Sequence, residues 1–179
     1  MKYLAIIFDG FEEEEAMAPF ALIRRAGGDL TIAGEKSIVT GSHNIKLADI
    51  TLLSNVNPND YDVLILPGGG GQYKALMASS FVQNIILDFY KKDKFICGIC
   101  AAPTVLGALG LLKNRNYTCF TSMNKDFGGF YHDKGVVVDG KFITSRSVAY
   151  SIEFAYTIIE QTLGRLKLQE VQKQIYYEK

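Results

Sequence analysis

The sequence has 179 residues, of which 48% are hydrophobic and 21% are charged, an ordinary balance for a soluble globular protein. Lysine plus arginine and aspartate plus glutamate both total 19, so the formal net charge is zero. That balance argues against broad electrostatic attraction to nucleic acid or to an anionic membrane. The length predicts a single domain over residues 1–179 with a full hydrophobic core.

The amino terminus and the cysteine content favour a cytoplasmic protein. Met1 and Lys2 lead directly into an apolar run at 3–8, which lacks the longer apolar region and cleavage site of a signal peptide. No stretch approaches the length of a membrane span. The three cysteines, an odd number, do not make a disulfide framework, and this fits a reducing compartment.

Predicted strands and helices alternate along the chain. Continuously apolar runs predict strands buried on both faces of a parallel sheet, and helical spacing of apolar residues predicts the helices between them. This alternation predicts an α/β sandwich with a mainly parallel sheet. In chain order the predicted elements are a strand at 3–8, a helix from Glu12 to Arg25, a strand at 30–33, a hairpin or edge excursion at 37–47, a strand at 62–66, a helix at 75–90, a central strand beginning at Phe95, a helix at 101–112, a short strand at 117–120, a loop at 124–133, a hairpin of 135–138 with 141–144, a helix at 150–163 and a last amphipathic helix at 166–177.

Three stretches that can carry chemistry each follow a predicted strand: Glu12 to Glu15, Gly68 to Gly71, and Cys100. In an open parallel sheet such stretches converge at the carboxyl ends of the strands. Cys100 lies on a strand–turn–helix connection like a nucleophile elbow, and the helix that follows is expected to favour its thiolate. The glycines and the Ala101 amide can point N–H groups at an oxyanion, and a nearby carboxyl group can act as acid and base.

Four motifs occur in order and together span nearly the whole chain: Gly10-Phe11-Glu12-Glu13-Glu14-Glu15, Leu66-Pro67-Gly68-Gly69, Ile99-Cys100-Ala101-Ala102-Pro103-Thr104 and Thr144-Ser145-Arg146. Together they resemble the ThiJ/PfpI superfamily, in the branch of the parkinsonism-associated protein deglycase. The resemblance implies a flavodoxin-like three-layer sandwich, a homodimer, and a readily oxidised cysteine that hydrogen-bonds a protonated glutamate. The implied activities are cofactor-free glyoxalase chemistry on α-oxoaldehydes, repair of glycated proteins, oxidative-stress sensing and chaperoning.

Carried over by position, the resemblance makes Cys100 the nucleophile and Glu15 its acid–base partner. It makes the amides of Gly69 and Ala101 the oxyanion donors, with Gly68 as a further binding position. The remaining glutamates, Glu12 to Glu14, are expected to complement the helix dipole on a solvated face.

Two further candidates follow from the late loop and the last predicted strand. The branch often has histidine after the Gly-Gly of this loop, where this chain has Phe130, and His132 lies two residues further on. Either His132 swings in as a catalytic residue or the protein lacks a catalytic histidine. Arg146 is expected to bind an anion, to bridge subunits or to form a salt bridge. His43 is expected at the surface or at a dimer contact.

The Cys97-Gly98-Ile99-Cys100 motif also admits a redox disulfide, but Cys97 falls at a strand end where its side chain is expected to face the core. Cys119 is expected to be structural.

These residues predict a cysteine-dependent, cofactor-free enzyme of the glyoxalase or deglycase type, acting on an α-oxoaldehyde such as methylglyoxal or on glycated protein. The first alternative is a redox-responsive stress or chaperone protein whose Cys100 is oxidised to sulfinic acid. A weaker alternative is a cysteine-dependent amidase or peptidase, which would need His132 or another base beside the thiol. No cofactor is expected, because the glycine run lacks the Lys-Ser/Thr of a P-loop, and scattered His and Cys residues support no metal site.

Overall fold

The structure, a computed structural model, describes residues 1–177 and confirms the predicted alternation of strands and helices. The strands are β1 (Lys2–Ile6), β2 (Asp29–Gly34), β3 (Val39–Thr40), β4 (Lys46–Leu47), β5 (Thr51–Leu52), β6 (Val63–Leu66), β7 (Phe95–Ile99), β8 (Asn116–Tyr117), β9 (Phe130–Tyr131), β10 (Val136–Asp139) and β11 (Phe142–Ser145). The helices are α1 (Glu13–Arg25), α2 (Gly70–Ala78), α3 (Ser80–Lys91), α4 (Ala102–Ala108), α5 (Ser151–Leu163) and α6 (Arg165–Gln174).

A seven-stranded, mainly parallel sheet forms the middle layer, in the order β10-β11-β7-β6-β1-β2-β5. Strand β10 runs antiparallel to β11, and the other neighbouring pairs are parallel. The central strands β6, β7 and β11 are buried along their whole length, which explains the continuously apolar sequences of β6 and β7. This architecture confirms the predicted α/β, flavodoxin-like three-layer sandwich.

Two hydrophobic cores fill the space between the sheet and its helices. Alternate residues of β1 point to opposite faces, so Tyr3 and Ala5 join one core while Leu4 and Ile6 join the other. Helices α1, α5 and α6 contribute apolar residues to the first core, and α2, α3 and α4 contribute to the second. No helix within residues 1–177 combines the length and the apolar character needed to cross a membrane.

The structure differs from the predicted elements in several places, among them α4, which ends at Ala108, before the predicted end at 112, and β9, which lies within the predicted loop at 124–133. The helix predicted at 75–90 is two helices, because Ser79 has an extended backbone and its side chain accepts a hydrogen bond from the Val82 amide at 3.3 Å, capping α3. The short strand predicted at 117–120 covers only Asn116–Tyr117 and pairs with β9 in a separate two-stranded sheet. The edge strand β5 was not predicted, because two residues carry no periodic pattern.

The predicted hairpin of 135–138 with 141–144 is confirmed, since β10 pairs antiparallel with β11. Of the two alternatives for 37–47, the structure shows the hairpin, in which β3 pairs antiparallel with β4.

Candidate active site

Cys100 lies on a sharp turn between β7 and α4. Its φ is 63°, a conformation uncommon for a residue other than glycine. The Cys100 amide donates to the Ser145 carbonyl at 2.9 Å, and the Phe120 amide donates to the Cys100 carbonyl at 2.8 Å. These two bonds hold the strained turn in place. The Cys100 side chain is partly exposed, whereas Cys97 and Cys119 are free thiols that are buried in the two cores.

Glu15 lies in the first turn of α1 and reaches across to Cys100. Only 1% of the residue is exposed. Its Oε2 accepts a hydrogen bond from the Gly68 amide at 3.0 Å, and its carboxyl group lies beside the Cys100 side chain. A Cβ on Gly68 would lie 2.4 Å from Glu15 Oε2 and 2.7 Å from Cys100 Cβ. The position must therefore be glycine for the carboxyl group and the thiol to meet.

Burial sets the protonation of the Glu15 carboxyl group. Burial raises its pKa to about 7, and the nearby carboxylates of Glu12 and Glu14 push in the same direction. The Cys100 thiol and the Gly68 amide act as donors towards the carboxylate, and they oppose this rise in pKa without cancelling it. A carboxyl group with this pKa both accepts and returns protons at neutral pH, as general acid–base catalysis requires.

The Cys100 thiol does not have the lowered pKa expected from a helix N-terminus. Burial and the adjacent Glu15 carboxyl group raise its pKa, and the hydrogen bond from the Ala101 amide to sulfur only partly opposes them. Helix α4 has seven residues, so its dipole is weak beside a carboxylate in contact with the sulfur. The thiol therefore keeps its proton until Glu15 accepts it.

The glycine loop after β6 contributes in a different way from the one predicted. The Gly68 amide is committed to Glu15, so it is not free to hold an oxyanion, which corrects the predicted binding role of Gly68. Gly69 has a φ of 105°, and a Cβ there would lie 2.4 Å from the Gly10 carbonyl oxygen. This close approach joins the glycine loop to the turn after β1, next to the start of α1.

His132 is held away from Cys100. Its Nε2 lies 2.7 Å from Asn116 Oδ1, and the Asn116 amide donates to Asp139 at 2.8 Å. In the sheet, Asp139 pairs with Phe142 of β11, and Phe142 pairs with Ile96 near the amino end of β7. Cys100 follows the opposite, carboxyl end of β7. The structure therefore does not bring together His132 and Cys100, which corrects the predicted catalytic histidine.

Arg146 forms a salt bridge, one of the alternatives that its position left open. Its guanidinium donates to Asp133 Oδ1 at 2.5 Å and to the Tyr150 hydroxyl at 2.6 Å, and it packs over the Tyr150 ring at 4.9 Å. These contacts join the end of β11 to the loop before β10 and to the start of α5.

The sequence interpretation missed a second buried carboxyl group, Glu13. It accepts hydrogen bonds from the His43 amide at 2.7 Å, the Ser42 hydroxyl at 3.1 Å and the Ile45 amide at 3.4 Å, and lies 2.9 Å from His43 Nδ1. Burial raises its pKa, but these hydrogen bonds outweigh burial and lower the pKa to about 2. The loop between β3 and β4 is thereby fixed to the start of α1. A Cβ on Gly41, two residues before His43, would lie within 3 Å of the Glu13 carboxyl group, so this close approach of the loop to α1 requires glycine.

The same loop brings together a possible set of metal ligands. One atom each from Glu12, Glu13 and His43 lie within 4.8 Å of one another. Both Glu13 oxygens already accept hydrogen bonds from the loop, so the carboxylate is satisfied by the protein itself.

A cysteine on a strained turn of a doubly wound sheet, in contact with a buried glutamate, defines a flavodoxin-like protein with a nucleophile elbow. The chain belongs to the DJ-1/PfpI family, whose family model matches residues 1–161. Protein dj-1beta of Drosophila melanogaster is 37% identical over 175 residues, covering 95% of this chain and 94% of that protein.

Two further comparisons agree in fold and in family. The crystal structure of Drosophila melanogaster DJ-1beta superposes with a TM-score of 0.92 at 35% identity and covers 99% of this chain and 98% of that chain. A protein named Deglycase PfpI, from Pyrococcus furiosus, is 31% identical over 150 residues, covering 82% of this chain and 90% of that protein. Family membership thus supports a deglycase-type or stress-related function.

Proposed function

We propose that this protein is a cofactor-free enzyme that uses Cys100 to convert α-oxoaldehydes such as methylglyoxal into hydroxy acids, or to reverse their adducts on proteins. The observation that carries the proposal is the contact between the half-buried Cys100 thiol and the buried Glu15 carboxyl group, whose pKa is raised to about 7. The deglycase named among the relatives supports the same class of chemistry.

The reaction begins with addition of sulfur to the aldehyde carbon. Glu15 accepts the Cys100 proton as the carbon–sulfur bond forms, and the product is a hemithioacetal. The amides of Gly69 and Ala101 are the proposed donors to the aldehyde oxygen as it gains negative charge.

Glu15 then moves a proton between the two substrate carbons. The carbon that bears sulfur loses its hydrogen, an enediol forms, and the neighbouring carbon gains a proton, leaving a thioester of lactate on Cys100. Water hydrolyses the thioester, releasing lactate and the thiol. The net change is addition of one water to methylglyoxal, so no oxidant, reductant or cofactor is consumed.

Lactate formation without glutathione tests this proposal. Purified protein with methylglyoxal should yield lactate, and Cys100→Ala should yield none above the uncatalysed rate. Cys119→Ala is the matched control, because Cys119 is a buried thiol outside the site. Absence of lactate from the unmodified protein, or equal turnover by Cys100→Ala, would overturn the proposal.

A second candidate function is redox sensing, favoured by the difference in exposure among the cysteines. Cys97 and Cys119 are fully buried, and Cys100 is partly exposed. Mild peroxide should therefore oxidise Cys100 first, and Glu15 and the Ala101 amide are placed to hydrogen-bond the resulting oxygens. A gain of two oxygen atoms at Cys100, together with negligible lactate formation, would favour the sensor over the enzyme. Oxidation of Cys97 or Cys119 with Cys100 unmodified would exclude it.

The amidase or peptidase alternative loses the histidine predicted as its base, because His132 is hydrogen-bonded to Asn116 and is held away from the thiol. Assembly as a homodimer and a cytoplasmic setting stay predictions. They are checked by light scattering and by fractionation of cells.

A further inference from the structure

Phe120, on the loop between β8 and β9, is held directly beside the proposed nucleophile. Its backbone amide donates a hydrogen bond to the Cys100 carbonyl at 2.8 Å, and residues joined in this way have Cα atoms about 5–6 Å apart. The Phe120 carbonyl is also fixed, because it accepts a hydrogen bond from the Met123 amide at 2.9 Å. An aromatic side chain is therefore anchored within about one side-chain length of the reactive sulfur.

The Phe120 ring is available to a substrate because it belongs to neither hydrophobic core. The preceding residue, Cys119, is fully buried in the core that α2, α3 and α4 cover, whereas Phe120 is 42% exposed. Cys100 packs against the opposite core. A single exposed aromatic residue is not unusual in itself. Phe120 differs because its backbone is bonded to the residue that would carry the substrate, so its ring borders the space in which a bound substrate must lie.

The charges around the sulfur restrict what can occupy that space. After burial, the carboxyl groups of Glu15 and Glu12 are among the causes that raise the pKa of the Cys100 thiol, so negative charge lies close to the sulfur. Arg146, which follows the end of β11, does not balance this charge, because its guanidinium pairs with Asp133. An anionic substituent on the substrate would therefore be repelled, and an uncharged apolar one would be accepted.

We propose that Phe120 is a specificity-determining residue that selects α-oxoaldehydes with an aromatic substituent, of which phenylglyoxal is the probe. This inference rests on the function proposed above and names the substrate class of the same site. In the hemithioacetal on Cys100, the substituent of the second carbon packs against the Phe120 ring, edge-to-face or offset. A methyl group is too small to gain this contact. The steps at Cys100 and Glu15 are unchanged, and addition of one water to phenylglyoxal gives mandelate.

Initial rates with phenylglyoxal and with methylglyoxal test the proposal. Phe120→Ala should lower kcat/KM for phenylglyoxal about threefold to tenfold, as expected for the loss of one aromatic pair, and should leave kcat/KM for methylglyoxal within about twofold. The loss should appear as a higher KM, because the contact is the same before and during the reaction. The intrinsic reactivities of the two aldehydes cancel when their ratio is compared between variants. The rate with Cys100→Ala is subtracted, since phenylglyoxal also reacts with arginine side chains.

Two further variants serve as controls for Phe120→Ala. Phe120→Tyr keeps the ring and should keep the preference for phenylglyoxal. Phe130→Ala removes an exposed phenylalanine elsewhere, because Phe130 is 60% exposed and its amide donates to Arg115, the partner of Asp139. Phe130→Ala should leave the rates with both substrates unchanged.

The outcomes separate this inference from the function on which it rests. An unchanged ratio of the two kcat/KM values in Phe120→Ala, with lactate still formed from methylglyoxal, would overturn the inference and leave the proposed function in place. Equal losses with both substrates would also overturn it, because they would show that Phe120 supports the Cys100 turn and does not contact the substituent. Failure of the unmodified protein to convert either aldehyde would overturn the proposed function, and this inference with it.

Discussion

Glu13 and Glu15 lie two residues apart at the start of α1, and both are buried, yet their carboxyl groups titrate in opposite directions. Burial raises the pKa of Glu15 to about 7, whereas hydrogen bonds from the loop after β3 lower the pKa of Glu13 to about 2. The Glu13 carboxylate receives two backbone amides and the Ser42 hydroxyl, with the His43 ring alongside. Glu15 receives one amide, from Gly68, and shares its other contact with a thiol.

The comparison shows that burial alone does not make a carboxyl group reactive. A buried carboxylate with enough donors is a stable anion that anchors structure, and one with too few donors keeps a proton that it can exchange. Glu13 therefore belongs to the framework, and Glu15 belongs to the chemistry. Substituting each carboxyl group in turn therefore separates the framework role from the catalytic role.

The largest expected effect is on catalysis. Glu15→Gln should lower kcat/KM for methylglyoxal by about 10²–10⁴, the usual contribution of a general acid–base group. Glu14→Gln, an exposed neighbour on the same helix, should stay within about twofold. Lactate release measured for both variants shows whether the reaction depends on Glu15 itself. Equal losses in the two variants would mean that helix charge in general, and not Glu15, is what matters.

The next largest effect is on the free energy of unfolding, where removing the Glu15 carboxyl group should stabilise the folded protein. Because the folded protein raises the pKa of Glu15 from 4.5 to about 7, it binds the proton more tightly than the unfolded chain, and stability falls as the pH rises through that window. At about pH 8 the ionised group costs about 3 kcal/mol, so Glu15→Gln should stabilise the fold by up to that amount. Below about pH 4 the gain should vanish. Urea unfolding at both pH values measures it, and a loss of stability at the higher pH would contradict the account.

Glu13→Gln should change stability in the opposite direction. Its lowered pKa means that the ionised group contributes stability above its ordinary 4.5, and this contribution is lost as the pH falls towards 2. At neutral pH the substitution should lower the free energy of unfolding by about 1–3 kcal/mol, because it mismatches several buried donors. Comparing urea unfolding of Glu13→Gln with that of Glu14→Gln separates the effect of the buried carboxylate on stability from that of an exposed carboxylate. Unchanged stability would show that the loop after β3 does not depend on Glu13.

The smallest effect is the pH dependence of the unmodified enzyme. If Glu15 accepts the Cys100 proton, kcat/KM should rise about tenfold per pH unit below 7 and level off above it. The apparent pKa belongs to the Glu15–Cys100 pair, whichever of the two carries the single proton. Glu13→Gln should leave the midpoint of this profile in place. A midpoint near 4.5 would place the proton acceptor elsewhere.

The fold could be predicted from the sequence because the apolar runs of buried parallel strands are a strong signal. The proximity of Glu15, Gly68 and Cys100 could also be predicted, because the carboxyl ends of parallel strands meet at one edge of the sheet. The sequence interpretation wrongly expected Glu13 on a solvated face, because the donors that surround this carboxylate come from residues 42–45, far along the chain. It left open whether His132 reaches Cys100 for the same reason, since the Asn116 partner that holds the imidazole ring away is visible only in three dimensions.

The pKa of Glu15, followed by carbon NMR of labelled glutamate carboxyl groups, tests the central claim most directly. We expect Glu15 to titrate near 7 in the unmodified protein, with Glu13 still ionised at the lowest pH at which the protein stays folded. Glu15→Gln assigns the resonance. A Glu15 carboxyl group that titrates near its ordinary 4.5 would show that it holds no exchangeable proton at neutral pH, and would contradict the account.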